Sequence, residues 1–342
     1  MSDTVNPDKI KPGQDWVADL FQPRDAVGVV NLFQSVYGDG YPVPAFVDPA
    51  ELIRANADRR IISSVARTAD GDIVGHNALF RSAPYERMYE SGAGVVHPGY
   101  RGSGIGHDLV FHGQEMARLQ FGMDAIFGET VCNHLFMQKL LLTLGWAKTS
   151  AIEVDLMPAE AYSREKSAAG RVTALMDFVL FQKSPQSVYV PDECREMIQS
   201  IYQEFPDERY LHPAIDDIPS CNRSQIALSV FDFSHVARIT IQTAGADLAG
   251  AIDRAEASVL CQGVTVIQVW ANLSWPWIGD VVNLLHSRGY FVGGVLPRWF
   301  DQDGILMQKL CHIPQWDHIQ LLTDHAKRLL EYVKADYDGF CR

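Results

Sequence analysis

The chain has 342 residues, 47% of them hydrophobic and 21% charged, a balance that can fill the cores of two ordinary domains. Its formal net charge of −13 disfavours non-specific binding to nucleic acid and favours small cationic partners such as amines, although acidity also serves solubility alone. Six scattered cysteines without a C-x-x-C pair argue against disulfides or a zinc site, and no apolar run is long enough to span a membrane. We therefore expect a cytoplasmic protein that works without a metal, a membrane or nucleic acid.

The first half of the chain alternates between segments of helical and of strand composition. Two strand-like runs flank the turn at Asp70-Gly71, which is a typical hairpin signal. In chain order, the pattern predicts a helix over 25–37, strands over 60–68, 72–81 and 91–97, a helix over 104–120, a strand over 124–131, a helix over 134–144, and strands over 149–157 and 173–181. Gly145 follows the helix over 134–144, where a C-cap glycine belongs.

The composition changes near Ser184-Pro185, and we place a domain boundary there, between residues 1–183 and 184–342. The second half shows a similar alternation of helical and strand patterns. It predicts a helix over 191–204, strands over 225–232 and 235–243, a helix over 246–261, a strand over 265–272, a helix over 277–287, and strands over 292–296 and 304–310.

The two halves end in a similar series of elements. A strand, Asn133, a helix and Gly145-Trp146 close the first series, and a strand ending at Asn272, a helix and Gly289-Tyr290 close the second. We interpret this as a duplication followed by divergence. Because strands pair as hairpins before they cross through helices, the order predicts a mixed α+β sheet in each half and not a doubly wound parallel one.

The segment from Val95 to Gly106 is the most informative in the chain. It places a strand end, a proline and a glycine-rich turn directly before an amphipathic helix. Glycines let the backbone turn tightly, and the unpaired amides at a helix N-terminus form an anion site together with the positive end of the helix dipole. A pyrophosphate is the ligand that such a site suits.

Three kinds of phosphate-binding loop compete for this segment. A P-loop requires a Gly-Lys dipeptide, which the chain lacks. A dinucleotide fingerprint requires G-x-G-x-x-G, and the spacing of Gly102, Gly104 and Gly106 is one residue short. The pattern R-x-x-G-x-G fits completely from Arg101 to Gly106. A glycine-rich connection without any ligand is the structural alternative.

The loop and the hydrophobic and proline residues before it resemble the pyrophosphate-binding loop of the GNAT N-acetyltransferases. The resemblance covers roughly residues 22–183, and the segment GETVCNHLFMQ is similar to a GNAT subgroup with a second, degenerate GNAT-like half. It implies an α+β, tandem GNAT-like fold, with a mixed, mostly antiparallel sheet flanked by helices in each half. The second half has no R-x-x-G-x-G equivalent, so we expect only the first half to bind acetyl-CoA.

The resemblance also implies roles for individual residues. The loop would hold the pyrophosphate, the preceding strand would pair with the pantetheine arm, and a backbone amide near Val96 would polarise the thioester carbonyl. GNAT sheets splay beside this strand, often through a bulge. Asn133, at the start of the next helix, would contact the cofactor arm. The expected cofactor-binding residues are Val95, Val96, His97, Arg101, Gly102, Ser103, Gly104, Ile105, Gly106 and Asn133.

One position departs from the family pattern. Many GNATs place a tyrosine, the general acid, four residues before the glycine of the Gly-aromatic pair, and this chain has Leu141 there. Either another donor protonates the thiolate or catalysis is weak. The candidates for the base that deprotonates a charged amine are Glu90, Glu129 and His134, each of which could instead be an ordinary surface or capping residue.

We predict an N-acetyltransferase that moves an acetyl group from acetyl-CoA to a small-molecule amine by direct attack in a ternary complex. No catalytic cysteine is evident near the motif, which disfavours a covalent acyl-enzyme. One alternative is a non-catalytic acyl-CoA-binding or regulatory module, which Leu141 would favour. Another is a nucleotide-binding protein that uses the same turn. The acceptor is not defined by the sequence, and a homodimer is one option for the assembly.

Overall fold

The computed structural model describes residues 10–38, 41–145, 148–159, 170–221 and 223–341. These residues group into two compact units. The first unit holds the described chain up to Glu129 together with Thr143–Gly145, and the second holds Thr130–Leu142 and the rest of the described chain. The expected domain boundary at 183/184 stays a prediction.

The first unit is built on a mixed sheet. Its elements are β1 (Trp16–Leu20), α1 (Ala26–Tyr37), α2 (Pro49–Ala57), β2 (Ile61–Thr68), β3 (Ile73–Phe80), β4 (Met88–Val96), α3 (Ile105–Leu119) and β5 (Ala125–Val131), the last two residues of β5 belonging to the second unit. The strands follow in space in the order β1-β2-β3-β4-β5. Neighbours are antiparallel except β4 and β5, which run parallel because α3 connects them.

Helices cover both faces of this sheet. Adjacent residues of β2 point to opposite faces, so that Val65 packs with Phe33 of α1 while Ala66 packs with Ile105 of α3. Gly75 of β3 allows α3 to approach closely, because a Cβ at that position would lie 2.4 Å from Cγ2 of Ile105. The start of α3 is therefore set by direct packing on the sheet.

The second unit contains α4 (Phe136–Leu144, its end lying in the first unit) and the elements of the second half. They are β6 (Lys148–Pro158), β7 (Arg171–Leu180), β8 (Gln186–Val190), α5 (Arg195–Tyr202), β9 (Arg209–Pro213), β10 (Gln225–Phe231), β11 (Val236–Thr243), α6 (Leu248–Leu260), β12 (Val266–Asn272), α7 (Ile278–His286), β13 (Phe291–Phe300), β14 (Gln302–Leu310) and α8 (Asp324–Phe340). Its main sheet has the order β7-β6-β13-β14-β12-β11-β10, and β8 pairs with β9 separately. In the described part of the chain, no helix is long and apolar enough to cross a membrane.

The element order of the first half recurs in the second. The series β3, β4, α3, β5, α4, β6, β7 corresponds to the series β10, β11, α6, β12, α7, β13, β14. In both series a parallel strand pair is joined by a helix, and the last two strands form an antiparallel hairpin.

The two closing hairpins share their irregularities as well as their order. In the first hairpin, β6 shifts register between Thr149 and Ala151 and again between Glu153 and Met157. In the second, β13 shifts register between Val292 and Gly294 and again between Leu296 and Phe300. The distance along the chain from each shift in β6 to the corresponding shift in β13 is the same. A residue with positive φ lies inside the second shift of each strand, Asp155 in β6 and Arg298 in β13. Bulges kept at equal spacing support a common origin of the two hairpins.

The two hairpins meet edge to edge at corresponding residues. Ala151 of β6 pairs antiparallel with Gly294 of β13. A Cβ on Gly294 would lie 2.3 Å from the carbonyl oxygen of Ser150, so the close approach of these strands requires glycine there. Because corresponding residues face each other, a local two-fold relation links the hairpins.

The α+β fold with a mixed, mostly antiparallel sheet is confirmed, and each predicted helix and strand is present with shifted ends. The pattern missed β1, α2, β8, β9 and α8. Asn133 and His134 lie in the turn before α4 and not within it, since α4 begins at Phe136. Gly145 has a φ of +74°, as a C-cap glycine does, whereas Trp146 lies outside the described residues.

Candidate functional site

The glycine-rich loop joins β4 to α3 in an exposed, tightly turned conformation. Pro98–Tyr100 form a single helical turn capped by His97. Gly102 and Gly104 then have φ values of +81° and +94°, which a residue with a Cβ adopts only under strain. A Cβ at either glycine would meet nothing within 4 Å, so backbone conformation and not space explains these glycines. The hydroxyl of Ser103 donates to the Tyr100 carbonyl at 2.7 Å and closes the turn.

Backbone amides lie unpaired where α3 begins. Gly104 is the N-cap residue, and Ile105, only 1% exposed, anchors the first turn in the core. Among the described residues, no backbone acceptor pairs with the amides of Gly102 and Gly104, and the first amides of a helix have no partner within it. Together with the helix dipole and the exposed Arg101, this arrangement can bind an anion such as a pyrophosphate.

β4 and β5 begin side by side and then part. They pair in parallel where Met88–Glu90 faces Ala125–Phe127, and along both fully described strands this pairing does not continue past Glu90. The remaining part of β4, Gly92–Val96, therefore keeps a backbone edge that β5 does not use. An extended ligand can bind such an edge as an added strand. This is the splay that the resemblance implied.

A bulge in β4 accompanies the splay. The β3–β4 register shifts between His76 and Ala78, and the bulged residue Ala93 has a φ of +51°. The Ala93 carbonyl accepts a hydrogen bond from Nδ1 of His76 at 2.9 Å, and Nε2 of the same ring lies 3.0 Å from Oγ of Ser63. His76 is 1% exposed, and burial lowers its pKa to about 4. Sequence reasoning missed His76, because a lone histidine within a strand pattern gives no sign of its partners.

Aromatic side chains from α1 and the following loop cover the side of β4 on which the His76 ring lies. Phe33 stacks on Phe46 with ring centroids 4.6 Å apart, and Tyr41 meets Phe33 edge-on at 4.8 Å. Burial raises the pKa of the Tyr41 hydroxyl, with smaller contributions from Tyr37 and the charge of Glu90. These rings pack against the core that contains Val95, so they form an apolar wall beside the splayed strand.

Two carboxylates lie near the point where β4 and β5 part. Glu90 is 9% exposed, and its Oε2 accepts a hydrogen bond from the Ser82 hydroxyl at 2.6 Å. Glu129 is half-buried on β5, two residues beyond Phe127, the residue in register with Glu90. Because side chains alternate along a strand, both carboxylates lie on the same face of the sheet. In the described part of the chain, no group of His, Cys, Asp and Glu residues could hold a metal ion.

Asn133 and His134 lie in the turn between β5 and α4, within the second unit. Gln320 of the second half holds this turn: its backbone amide donates to the Cys132 carbonyl at 2.8 Å, and its side-chain amide donates to the Asn133 carbonyl at 3.0 Å. Burial lowers the pKa of His134, whose Nδ1 has no hydrogen-bond partner among the described residues. A neutral imidazole in this turn can accept or relay a proton. The side chain of Leu141, half-buried on α4, cannot accept or relay a proton.

Comparison with known proteins identifies one matching family. A family model described as "Acetyltransferase (GNAT) family" matches residues 27–146. A search of curated proteins found no match.

Several solved structures are similar to the chain at low identity. An N-acetyltransferase from Staphylococcus aureus Mu50 is 10% identical with a TM-score of 0.39, over 49% of this chain and 99% of that chain. The spermidine/spermine N-acetyltransferase SpeG from Vibrio cholerae is 13% identical with a TM-score of 0.39, over 49% of this chain and 92% of that chain. The ribosomal-protein-S5-alanine acetyltransferase from Vibrio fischeri is 14% identical with a TM-score of 0.39, over 50% of this chain and 95% of that chain.

Proposed function

Because the chain carries a GNAT acetyltransferase domain at residues 27–146, we propose that it transfers an acetyl group from acetyl-CoA to a small-molecule amine. The observation that carries this proposal is the place where β4 leaves β5. There a free strand edge, Gly92–Val96, leads directly into a glycine-rich turn with unpaired amides at the start of α3. One site can then receive both the amide-rich arm and the pyrophosphate of a CoA thioester.

The residues around the splay fit acetyl-CoA. Amides of the loop from Arg101 to Gly106 would hold the pyrophosphate, with Ser103 and Ile105 shaping the turn from outside and from the core. Val95, Val96 and His97 would pair with the pantetheine arm. The resemblance assigns a further contact with the arm to Asn133, and that assignment stays a prediction.

We propose direct attack as the chemical step. The amine nitrogen attacks the thioester carbon, the carbonyl oxygen gains negative charge that a β4 amide stabilises, and the C–S bond then breaks to release CoA thiolate. The proton lost by the amine goes to a carboxylate, and Glu90 is favoured because it is buried beside the apolar wall. Glu129 or His134 would serve if the Glu90→Gln variant kept full activity. Leu141 supplies no proton, so we propose that water protonates the thiolate.

We propose that the second half is a degenerate copy that does not bind CoA. Its helix α6 begins after Asp247, where α3 begins after Gly104. The Asp247 carboxylate accepts a hydrogen bond from the Ser224 amide at 2.7 Å, a bond that lowers its pKa and keeps the negative charge. A fixed negative charge at a helix N-terminus competes with a phosphate for the same site. β11 and β12 also stay paired, with Val236–Thr240 facing Val266–Trp270. This pairing leaves less strand edge free for a ligand.

Calorimetric titration of acetyl-CoA into the purified protein tests the cofactor. We expect micromolar binding by the wild type and its loss in Gly104→Val, because valine disfavours the positive φ that the turn requires. Gly71→Val is the matched control: Gly71 has a φ of +91° and open space around its Cβ position, but it lies in the β2–β3 turn. Gly71→Val should therefore strain the fold equally and keep the affinity.

Three results would contradict the proposal. A folded wild type that binds no acetyl-CoA would exclude the acetyltransferase function, and tighter binding of ATP or NAD would favour a nucleotide-binding protein. Binding without release of free thiol across a panel of amines would favour the alternative suggested by Leu141, a non-catalytic acyl-CoA-binding or regulatory module.

A further inference from the structure

We propose that His76 is a positioning residue for the acetyl transfer: it fixes the Ala93 carbonyl and so turns the Gly94 amide toward the cleft where the thioester carbonyl would bind. This inference rests on the proposed function and adds to it a residue that acts through the backbone. His76 would touch neither substrate nor reacting atoms.

Hydrogen-bond chemistry determines the state of the His76 ring. A carbonyl oxygen only accepts, so Nδ1, 2.9 Å from the Ala93 oxygen, must carry the proton. Nε2 is then unprotonated and accepts from the Ser63 hydroxyl at 3.0 Å. Burial lowers the pKa of His76 and so disfavours a second proton on the ring. The ring is therefore a neutral donor directed at one carbonyl.

The partners of His76 are themselves fixed. The Ser63 oxygen accepts from Nδ2 of Asn56 at 3.3 Å, and the Ser63 amide donates to Oδ1 of Asn56 at 2.9 Å. Asn56 also donates to the Leu52 carbonyl within α2 at 3.0 Å. A continuous series of hydrogen bonds thus runs from α2 through β2 and His76 to the bulge of β4.

Aromatic rings hold the imidazole in place. Phe33 and Phe46 meet it edge-on, with ring centroids 5.3 Å and 5.1 Å from that of His76. The ring has almost no exposure, so water cannot replace it as the donor to Ala93. The bulge needs such a partner, because the φ of +51° at Ala93 is unfavourable for a residue with a Cβ.

The orientation of the Ala93 carbonyl decides that of the next amide. In a trans peptide the carbonyl and the N–H point in opposite directions. The carbonyl points toward the His76 ring, so the N–H of Gly94 points away from that ring. At this part of β4, β5 has left the edge opposite β3. Gly94 is exposed, so a ligand oxygen can approach its amide there. A donor already aimed at the developing oxyanion needs no reorganisation during the reaction.

Substitutions at His76 separate this role from a merely structural one. His76→Asn keeps an N–H near the position of Nδ1, whereas His76→Leu keeps bulk and removes the donor. The comparison of acetyl-CoA with CoA is informative because CoA has no thioester carbonyl. In His76→Leu we expect kcat to fall by about tenfold or more and the preference for acetyl-CoA over CoA to disappear, with affinity for CoA unchanged. His76→Asn should restore most of the kcat and most of the preference for acetyl-CoA over CoA.

His112→Leu is the matched control. His112 also bonds a serine of β2, with Nδ1 2.8 Å from Oγ of Ser64, but from the opposite face and without contact to the β4 carbonyl. His112→Leu should leave the ratio of the affinity for acetyl-CoA to the affinity for CoA unchanged. Amide NMR adds a readout without turnover: the Gly94 signal should shift with acetyl-CoA and much less with CoA in the wild type, and shift equally with both in His76→Leu.

The possible failures can be told apart. If the wild type binds neither acetyl-CoA nor CoA, the proposed function is wrong and this inference fails with it. If the wild type binds and transfers, the inference alone is overturned in two cases: His76→Leu keeps kcat and the acetyl-CoA preference, or His76→Leu and His76→Asn weaken CoA and acetyl-CoA equally.

Discussion

His76 makes the stability of this protein sensitive to acid. Burial lowers its pKa to about 4 in the folded chain, below the ordinary value of about 6.5 expected after unfolding. The unfolded chain therefore takes up the proton first as the pH falls. The stabilisation from neutral His76 is complete above about pH 6.5, declines as the pH falls toward 4, and amounts to about 3 kcal/mol in all.

We predict that the free energy of unfolding of the wild type falls by about 2–3 kcal/mol more than that of His76→Asn between pH 7 and pH 4.5. Asparagine keeps the donor to Ala93 but does not titrate, so the difference isolates the imidazole. Urea unfolding of both proteins at the two pH values measures it. Equal losses in the two proteins would show that His76 titrates normally and contradict its buried, neutral state.

At this scale the sequence predicts only part of the site. The glycines of the loop are readable because positive φ at Gly102 and Gly104 demands one residue type at a fixed spacing from the helix. The role of His76 depends on Ser63 and on a bulge thirteen or more residues away in the chain, so no local pattern reveals it. The acid–base assignment of Glu90 and Glu129 stays a prediction.

At the scale of elements, the position of α3 depends on Gly75 of β3. A Cβ there would lie 2.4 Å from Ile105 and 2.9 Å from Leu109, so α3 would have to move away from the sheet. Such overpacking typically costs about 1–3 kcal/mol. Because Ile105 opens α3, the glycine-rich turn would move with it.

We predict that Gly75→Ala lowers both thermal stability and acetyl-CoA affinity. The matched variant is Gly113→Ala within α3, where a Cβ would meet its nearest neighbours at an ordinary 3.6 Å. Alanine at a helix interior should stabilise by about 0.5–1 kcal/mol and leave binding intact. Thermal melts and calorimetry of both variants test this. Unchanged affinity for acetyl-CoA in Gly75→Ala would show that the glycine-rich turn does not depend on the packing of α3.

Some missed elements had readable signals and others had none. Asp48 caps α2 by accepting from the Ala50 amide at 2.9 Å, and Thr323 caps α8 by accepting from the Ala326 amide at 3.1 Å. Both are ordinary N-cap residues, so these two helices could have been predicted. By contrast, β8 and β9 are short strands that pair in parallel across an intervening helix, α5. Such strands become recognisable only when the partner is known.

At the scale of the whole molecule, the first half depends on buried partners from the second. Glu153 of β6 has no solvent exposure, and its Oε1 accepts from Gln268 at 2.8 Å and from Arg238 at 3.2 Å. Gln308 likewise bonds the backbone of Val154. Burying a carboxylate without such partners is strongly unfavourable.

We predict that residues 1–183 expressed alone do not fold cooperatively, because β6 would lose its neighbour β13 and Glu153 would lose its cation. An exposed strand edge of this kind also promotes aggregation. Size-exclusion chromatography and thermal unfolding of the fragment measure the outcome, and co-expression with residues 184–342 is the control that should restore solubility. A soluble, cooperatively melting fragment would refute the dependence.

The duplication is only partly readable from the sequence. Element order and the echo of Asn133 by Asn272 suggest it, but the helical connections of the two halves differ in length. The structure adds the equal spacing of the bulges around Asp155 and Arg298. Bulges depend on pairing between strands, and single-sequence patterns do not report pairing.

The meeting of Ala151 with Gly294 changes what the second copy is needed for. Two free copies joined by such an edge would associate only above their dissociation constant, whereas a tethered edge is present at an effective concentration of roughly millimolar. The assembly step becomes independent of how much protein the cell makes. If the second half serves only as a permanent neighbour, as proposed, selection acts on its contacts with the first half, and a carboxylate such as Asp247 is tolerated at the start of α6.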